Sequence, residues 1–224
     1  MYLRLAALAG WTAAAVAGAA FAQPEPATWA DAPSVADFAA LYPPKAKAAG
    51  VGGVVELTCD VRDARPHDCA ALFETPSGYG FAFAARRAVE QMRVADLSLN
   101  GKEVRVPVTF DPSVLKGPVT LTRPVWAALP TATDFQLTFP KTENGVNNVR
   151  VVLACTVARG GLLSDCAVAQ EEPSGQGYGA GALALAPKFR VEPWSDDGQP
   201  TIGAKLRLPI RYQLTSAKPD AAKP

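Results

Sequence analysis

His67, Asp68 and Cys69 stand in a row, the tightest clustering of reactive side chains in the chain. A histidine beside a cysteine can draw the proton from a nucleophilic thiol. His67 is also the single histidine, and a metal centre needs several His, Cys or Asp ligands converging. The four cysteines, Cys59, Cys69, Cys155 and Cys166, are spaced far more widely than the C-x-x-C of a thiol–disulfide oxidoreductase. Gly175–Gln176–Gly177–Tyr178–Gly179 has the glycine density of a phosphate-cradling loop. A dinucleotide fingerprint, however, requires a parallel strand–helix–strand setting, and the alternation preceding these glycines reads as a hairpin. No pair of carboxylates recurs in a way suited to acid–base work. The expectation is a protein that is not an enzyme, with no catalytic residue, no metal, no cofactor and no evident small-molecule substrate.

An internal duplication weighs these candidates. Trp29–Ala30–Asp31–Ala32–Pro33 and Asp37–Phe38 recur 97 residues later as Trp126–Ala127–Ala128–Leu129–Pro130 and Asp134–Phe135. Tyr42–Pro43 returns as Phe139–Pro140, Cys59 and Cys69 as Cys155 and Cys166, and Pro76–Ser77–Gly78 as Pro173–Ser174–Gly175. The segment 104–110 returns as 206–212, at an offset that has grown to 102. Ser164 stands where His67 would be repeated. The histidine therefore reads as a turn residue beside a structural cysteine.

Each copy has the same run of expected elements. Ser34 is a plausible N-cap for a short helix over 35–41; Pro43 and Pro44 end it, and a second helix covers 44–49. Val55, Leu57, Cys59 and Val61 then alternate with Glu56, Thr58 and Asp60, the period of a half-buried strand. Placing Cys59 opposite Cys69 sets Leu57 against Ala71 and Val55 against Phe73; in the second copy Cys155 faces Cys166 and Leu153 faces Val168. In this register both cysteines lie on the apolar face, which supports one disulfide per hairpin. Free buried thiols, or bridges between the copies, are the alternatives. Helices follow over 81–92 and 177–189, capped by Ser77 and Ser174, with Pro187 shortening the second. Phe81, Phe83 and Tyr178 read as the core face of these helices, and Arg86, Arg87 and Arg93 as their solvated face. In the last strands Val104, Val106, Val108 and Phe110 point one way. Pro107 and Pro209 lack a donor, which places these strands at an edge or those positions on an unpaired side.

The expected fold is α+β: two tandem small domains, each a three-stranded antiparallel sheet with helices on one face. The boundaries are 23–110 and 126–214, with a Pro- and Gly-bearing linker at 111–125 and a disordered tail at 215–224. Domains of about 85 residues bury only around 60% of their unfolded surface and often need a staple.

Arg4, an alanine-rich apolar run from Leu5 to Ala20, and Ala20–Phe21–Ala22 describe a cleavable signal peptide over 1–22. The rival reading is an inner-membrane anchor over 5–22. Export to a periplasm also suits cysteines used as disulfides. The whole chain carries 22 Lys+Arg against 21 Asp+Glu; loss of a leader bearing Arg4 alone leaves 21 of each. A chain without net charge has no global field to draw in nucleic acid.

These residues carry a family likeness. Tyr42–Pro43–Pro44–Lys45–Ala46 with Gly53–Val54–Val55 resembles the YPxxA…GxV opening of the TonB C-terminal domain. Phe189–Arg190–Val191–Glu192–Pro193 resembles that family's helix-end motif. Asp197–Gly198–Gln199–Pro200, Gly203 and Leu208–Pro209–Ile210–Arg211–Tyr212 resemble its last hairpin and strand. The paired cysteines, with Glu-x-Pro-Ser-Gly, are like a disulfide-bearing branch of TonB-like proteins. The first copy departs at Met92–Arg93–Val94–Ala95–Asp96, and no proline-rich spacer fits between Gln23 and Trp29. The likeness therefore implies the fold more directly than energy transduction.

Such a fold implies binding. An open sheet edge can accept an extended segment as an extra strand. The expected edge is Leu206, Arg207, Leu208, Ile210, Arg211 and Tyr212, and the expected partner an envelope protein or peptide segment, with an outer-membrane receptor as one candidate. The use would be accessory to TonB-type transport; the alternative is a structural or envelope-assembly protein. Under non-reducing conditions the intact mass should show both disulfides formed, and four titratable thiols would refute the hairpin pairing.

Overall fold

The computed structural model describes residues 25–139 and 148–213. The expected leader or anchor and the tail lie outside the described residues. In chain order the elements are β1 (Glu25–Pro26), β2 (Trp29–Asp31), α1 (Val35–Ala40), α2 (Pro44–Ala49), β3 (Gly53–Arg62), β4 (Arg65–Thr75), α3 (Phe81–Val89), β5 (Arg93–Val94) and β6 (Glu103–Phe110). They continue with β7 (Thr120–Leu121), β8 (Trp126–Ala128), α4 (Ala132–Thr138), β9 (Asn148–Val157), β10 (Leu163–Glu172), α5 (Tyr178–Leu185), β11 (Arg190–Val191) and β12 (Lys205–Gln213).

The fold is α+β with antiparallel sheets. One sheet has the order β1-β6-β3-β4 and the other β10-β9-β12-β7. Each contains the three expected antiparallel strands. Each also has a fourth, two-residue strand running parallel to the last one: β1 beside Val104 and Arg105, and β7 beside Lys205 and Leu206. The stretch 111–125, rich in Pro and Gly, thus includes a 3-10 turn at Pro112–Leu115 and the strand β7. Periodicity cannot reveal pieces this short, because two residues show no alternation. The repeated tryptophans mark two further ribbons, with Trp29 opposite Val94 and Trp126 opposite Val191.

The alternation read in the sequence is the burial pattern. Val55, Leu57, Cys59 and Val61 are at most 1% exposed, as are Val104, Val106, Val108 and Phe110. Cys59 is bonded to Cys69 and Cys155 to Cys166, each pair with Cα atoms 4.1 Å apart on neighbouring strands. The register agrees at Leu57–Ala71 and Leu153–Val168. It then slips by one residue, so that Val55 faces Glu74, not Phe73, and Phe73 turns to the outer face. A second irregularity falls beside each disulfide, where Asp68 and Asp165 both have φ 49°. An extra residue at positive φ bends a strand and tightens its twist, and aspartate tolerates that conformation better than most residues.

Two expectations about the helices need correction. Ser77 and Ser174 do not cap α3 and α5; Gly80 and Gly177 take the N-cap positions at φ 88° and 81°. The Phe81 and Tyr178 amides instead donate to the side chains of Glu74 and Glu171, at 2.9 and 3.0 Å. A carboxylate at a helix start satisfies an orphan donor and faces the positive end of the dipole. Phe81 and Tyr178 are wholly buried, but Phe83 is 66% exposed and belongs to no core. As expected, α5 stops at Leu185 and passes into a 3-10 turn at Pro187.

Ser34 caps α1 through a capping box with Asp37, and Thr131 repeats it with Asp134 on α4. The Thr131 hydroxyl and amide, then Lys188, hold the Asp134 carboxyl down at about 2. Because this folded value lies below the ordinary one, the box contributes above the usual aspartate range and is lost as pH falls towards 2. An NMR titration should place the Asp134 midpoint near 2, and Thr131→Ala should return it towards the ordinary range.

Candidate partner-binding edge

The last strands β6 and β12 are copies of each other, and their edges meet different fates. Along β6, the parallel β1 covers Val104 and Arg105. Beyond them the second half of the chain takes over. The Trp194 indole N–H donates to the Pro107 carbonyl at 3.0 Å. The Thr109 amide donates to the Gly198 carbonyl at 2.7 Å, and its hydroxyl to the Asp197 carbonyl at 2.6 Å. Pro107 itself points outward, so its missing donor interrupts no ladder.

The segment that makes these contacts is a small hairpin. Gly198 N–H returns to the Ser195 carbonyl, Ser195 pairs with Gln199, and Trp194 is bridged to Pro200. Its tip is the Asp197–Gly198 turn expected from the sequence. Gly198 has φ 79°, and a Cβ there would stand 2.5 Å from the Pro107 carbonyl oxygen. Only glycine permits this approach. Trp194 is 2% exposed and lies edge-on to Phe38 at 5.5 Å, so a second-half side chain completes the first-half core. Further contacts join the halves: Val35 N–H donates to the Ile202 carbonyl at 2.8 Å, and Arg159 reaches Asp31 and Asp37 at 3.4 and 3.5 Å.

Among the described residues β12 has no such cover. The strand β7 meets Lys205 and Leu206. Beyond that, among the described residues, no backbone bond from outside the sheet reaches the Pro209 carbonyl or the Arg211 amide, the counterparts of Pro107 and Thr109. Of the six residues expected to form this edge, Leu206, Leu208, Ile210 and Tyr212 are core, at most 5% exposed. Their side chains face the core and their backbone groups face β9, so the edge is offered by the alternate residues Arg207, Pro209 and Arg211. Arg207 and Arg211 are exposed. Arg150 of β9 lies directly opposite Arg211, and Glu172 of β10 opposite Arg150. Arg150, Arg211, Glu172 and Pro173 line a cleft of about 360 Å³ at this end of the sheet.

A second cleft, of about 340 Å³, lies between the halves and is lined by Trp29, Arg105, Glu192, Trp194 and Asp196 among others. Burial, more than the nearby Asp196, raises the Glu192 carboxyl, against a hydrogen bond from the Trp29 amide. His67 is exposed on β4, opposite Asp60. All four cysteines are in disulfides. Among the described residues no group of His, Cys, Asp and Glu could hold a metal ion, and no helix is long and apolar enough to cross a membrane.

Known proteins add little. No protein-family model matches the chain, and no solved structure does. A Caulobacter vibrioides protein described as "Uncharacterized protein" is 30% identical over 63 residues, 28% of this chain and 63% of that protein. The match thus spans less than two thirds of that relative.

The sequence indicated the edge but not its cover. The available signal was the growth of the offset from 97 to 102, five residues that fall in the 194–200 region and lengthen it relative to the first copy. Gly198→Ala should unseat the hairpin: hydrogen exchange at the Thr109 amide should rise sharply, while amides of the β9–β10 ladder keep their protection.

Proposed function

We propose that the protein is an exported, non-enzymatic binding module of the TonB C-terminal-domain type. In the periplasm it takes an extended segment of an envelope protein along the open edge of β12. The observation that carries this reading is the contrast between the two copies. The same strand pattern is sealed by Trp194 and Gly198 in the first half and, among the described residues, is left with unpaired backbone groups in the second. An unpaired edge is a template for another strand, with main-chain hydrogen bonds giving affinity and alternate side chains giving choice. The all-disulfide cysteines suit an oxidising compartment. A role beside TonB-type transport is the extension that the sequence resemblance supports.

One observation favours a second reading, a structural or envelope-assembly role. The halves are joined through a shared core and a sealed β6, the arrangement of a rigid pair. Site-specific photo-crosslinking separates the two. With the crosslinker at Arg211, the envelope fraction should yield a discrete adduct; at Thr109, under the hairpin, it should yield none. A TonB-dependent receptor in the adduct would support the transport role. No adduct at Arg211, with adducts from another face, would favour the structural reading.

A further inference from the structure

We propose that the open edge of β12 selects an acidic segment bearing a bulky aromatic residue, on the pattern by which Trp194–Gly198 occupies β6. This rests on the edge-binding reading above and adds the partner's chemistry.

The aromatic requirement comes from what the second half lacks. In the first half Phe38 is wholly buried, stacked on Phe110 at 4.7 Å and closed from the side by Trp194. Its repeat, Phe135, meets Tyr212 at 5.9 Å and is half-exposed. Leu137, on the same helix, is 79% exposed, and α4 has no fully buried residue, whereas α1 buries Val35 and Phe38. An aromatic ring set against Phe135 would do for α4 what Trp194 does for α1. Rings at this separation and a buried apolar face are a favourable combination.

The charge requirement comes from the outer face. Glu103, Arg105 and Thr109 of β6 become Lys205, Arg207 and Arg211 on β12. On the neighbouring strand, Val54 and Glu56 become Arg150 and Val152 by register. Arg105 is paired with Glu56 at 3.3 Å; Arg207 has Val152 in the place of that carboxylate. Four cations thus share a face on which, among the described residues, Glu172 stands opposite Arg150. Arg150 and Arg211 stand directly opposite, an arrangement that costs stability unless an anion lies between them. The same cations set the edges of two copies of this chain against each other, so edge-to-edge self-pairing is disfavoured. An added strand alternates its side chains. An aromatic turned towards α4 would therefore have carboxylates at odd spacing from it on the outer face, over Arg207 and Arg211. Backbone groups of the segment would meet the Pro209 carbonyl and the Arg211 amide.

The test uses the disulfide-intact chain and a labelled peptide with the sequence of residues 192–198 bearing Ser195→Asp, which sets carboxylates one and three residues from its single tryptophan. Three variants replace the tryptophan by alanine, the acids by their amides, or the aspartates by lysine. Anisotropy reports affinity, and the Arg211 and Thr109 amide resonances report the edge in use. The parent peptide should shift Arg211 and leave Thr109 unmoved, with each variant at least about tenfold weaker. Arg207→Glu/Arg211→Glu should abolish binding without lowering the melting temperature. Equal binding of the amide or lysine peptides at Arg211 would overturn the partner chemistry and leave the edge reading standing. Failure of all four peptides to shift Arg211 would overturn both. Displacement of the hairpin at Thr109 would refute the β12 assignment. Anionic vesicles or duplex DNA that shift Arg211 where the parent peptide does not would replace the peptide with an anionic surface.

Discussion

The hydrogen bonds from Trp194 to Pro107 and from Thr109 to Gly198 are the constraint on which the arrangement of the two halves depends. A sheet edge withdrawn from water must have its amides and carbonyls satisfied from somewhere. Here the second half supplies the partners, and the same tryptophan closes the core around Phe38. Polar satisfaction and apolar burial are met by one side chain, so neither can be lost without the other. Gly198 is the geometric condition for both, since any Cβ would collide with the Pro107 carbonyl.

That contact breaks the symmetry of a duplicated chain. Both copies keep a hairpin bridged by a disulfide, a helix whose first amide is held by a glutamate, and a last strand with an outward proline. Loops of 10 and 11 residues closed by disulfides are each worth about 2.5–3 kcal/mol in the chain-entropy account. That is a useful fraction of the stability of a unit this small. The copies differ where they touch. The longer 194–200 segment gives the second half a hairpin that seals the first copy, while among the described residues nothing equivalent lies on the second. On the outer face of the last strands, Glu103 and Thr109 of the first copy give way to Lys205 and Arg211 in the second.

Much of this was legible in the residues. The alternation from Val55 to Val61 and from Val104 to Phe110 reported the buried faces, because a strand's side chains alternate whatever surrounds it. The cysteine spacing and the apolar register agreed on the hairpin disulfides. Ser34 with Asp37 announced a capping box through contacts three residues apart. Less legible were the one-residue slips at Phe73 and beside Asp68 and Asp165. A bulge is chosen by the strain and twist of the paired strands, and nothing local in the chain compels it. Ser77 looked like a cap, but Gly80 holds that position and the Phe81 amide is met by Glu74, whose side chain comes back from the preceding strand.

By itself, then, the sequence determined the duplication, the order of elements, the two disulfides and the candidate strand 206–212, all of which rest on local period or on repetition. Only the tertiary structure decided that β6 is covered along its length and that, among the described residues, β12 is covered at Lys205 and Leu206 alone. It also decided that four of the six expected edge residues turn into the core, and that Trp194 belongs to the core of the other half. Those facts concern which surfaces meet. Contacts between residues 87 positions apart, such as Trp194 with Pro107, are set by the packing of whole sheets, and no spacing along the chain encodes them directly.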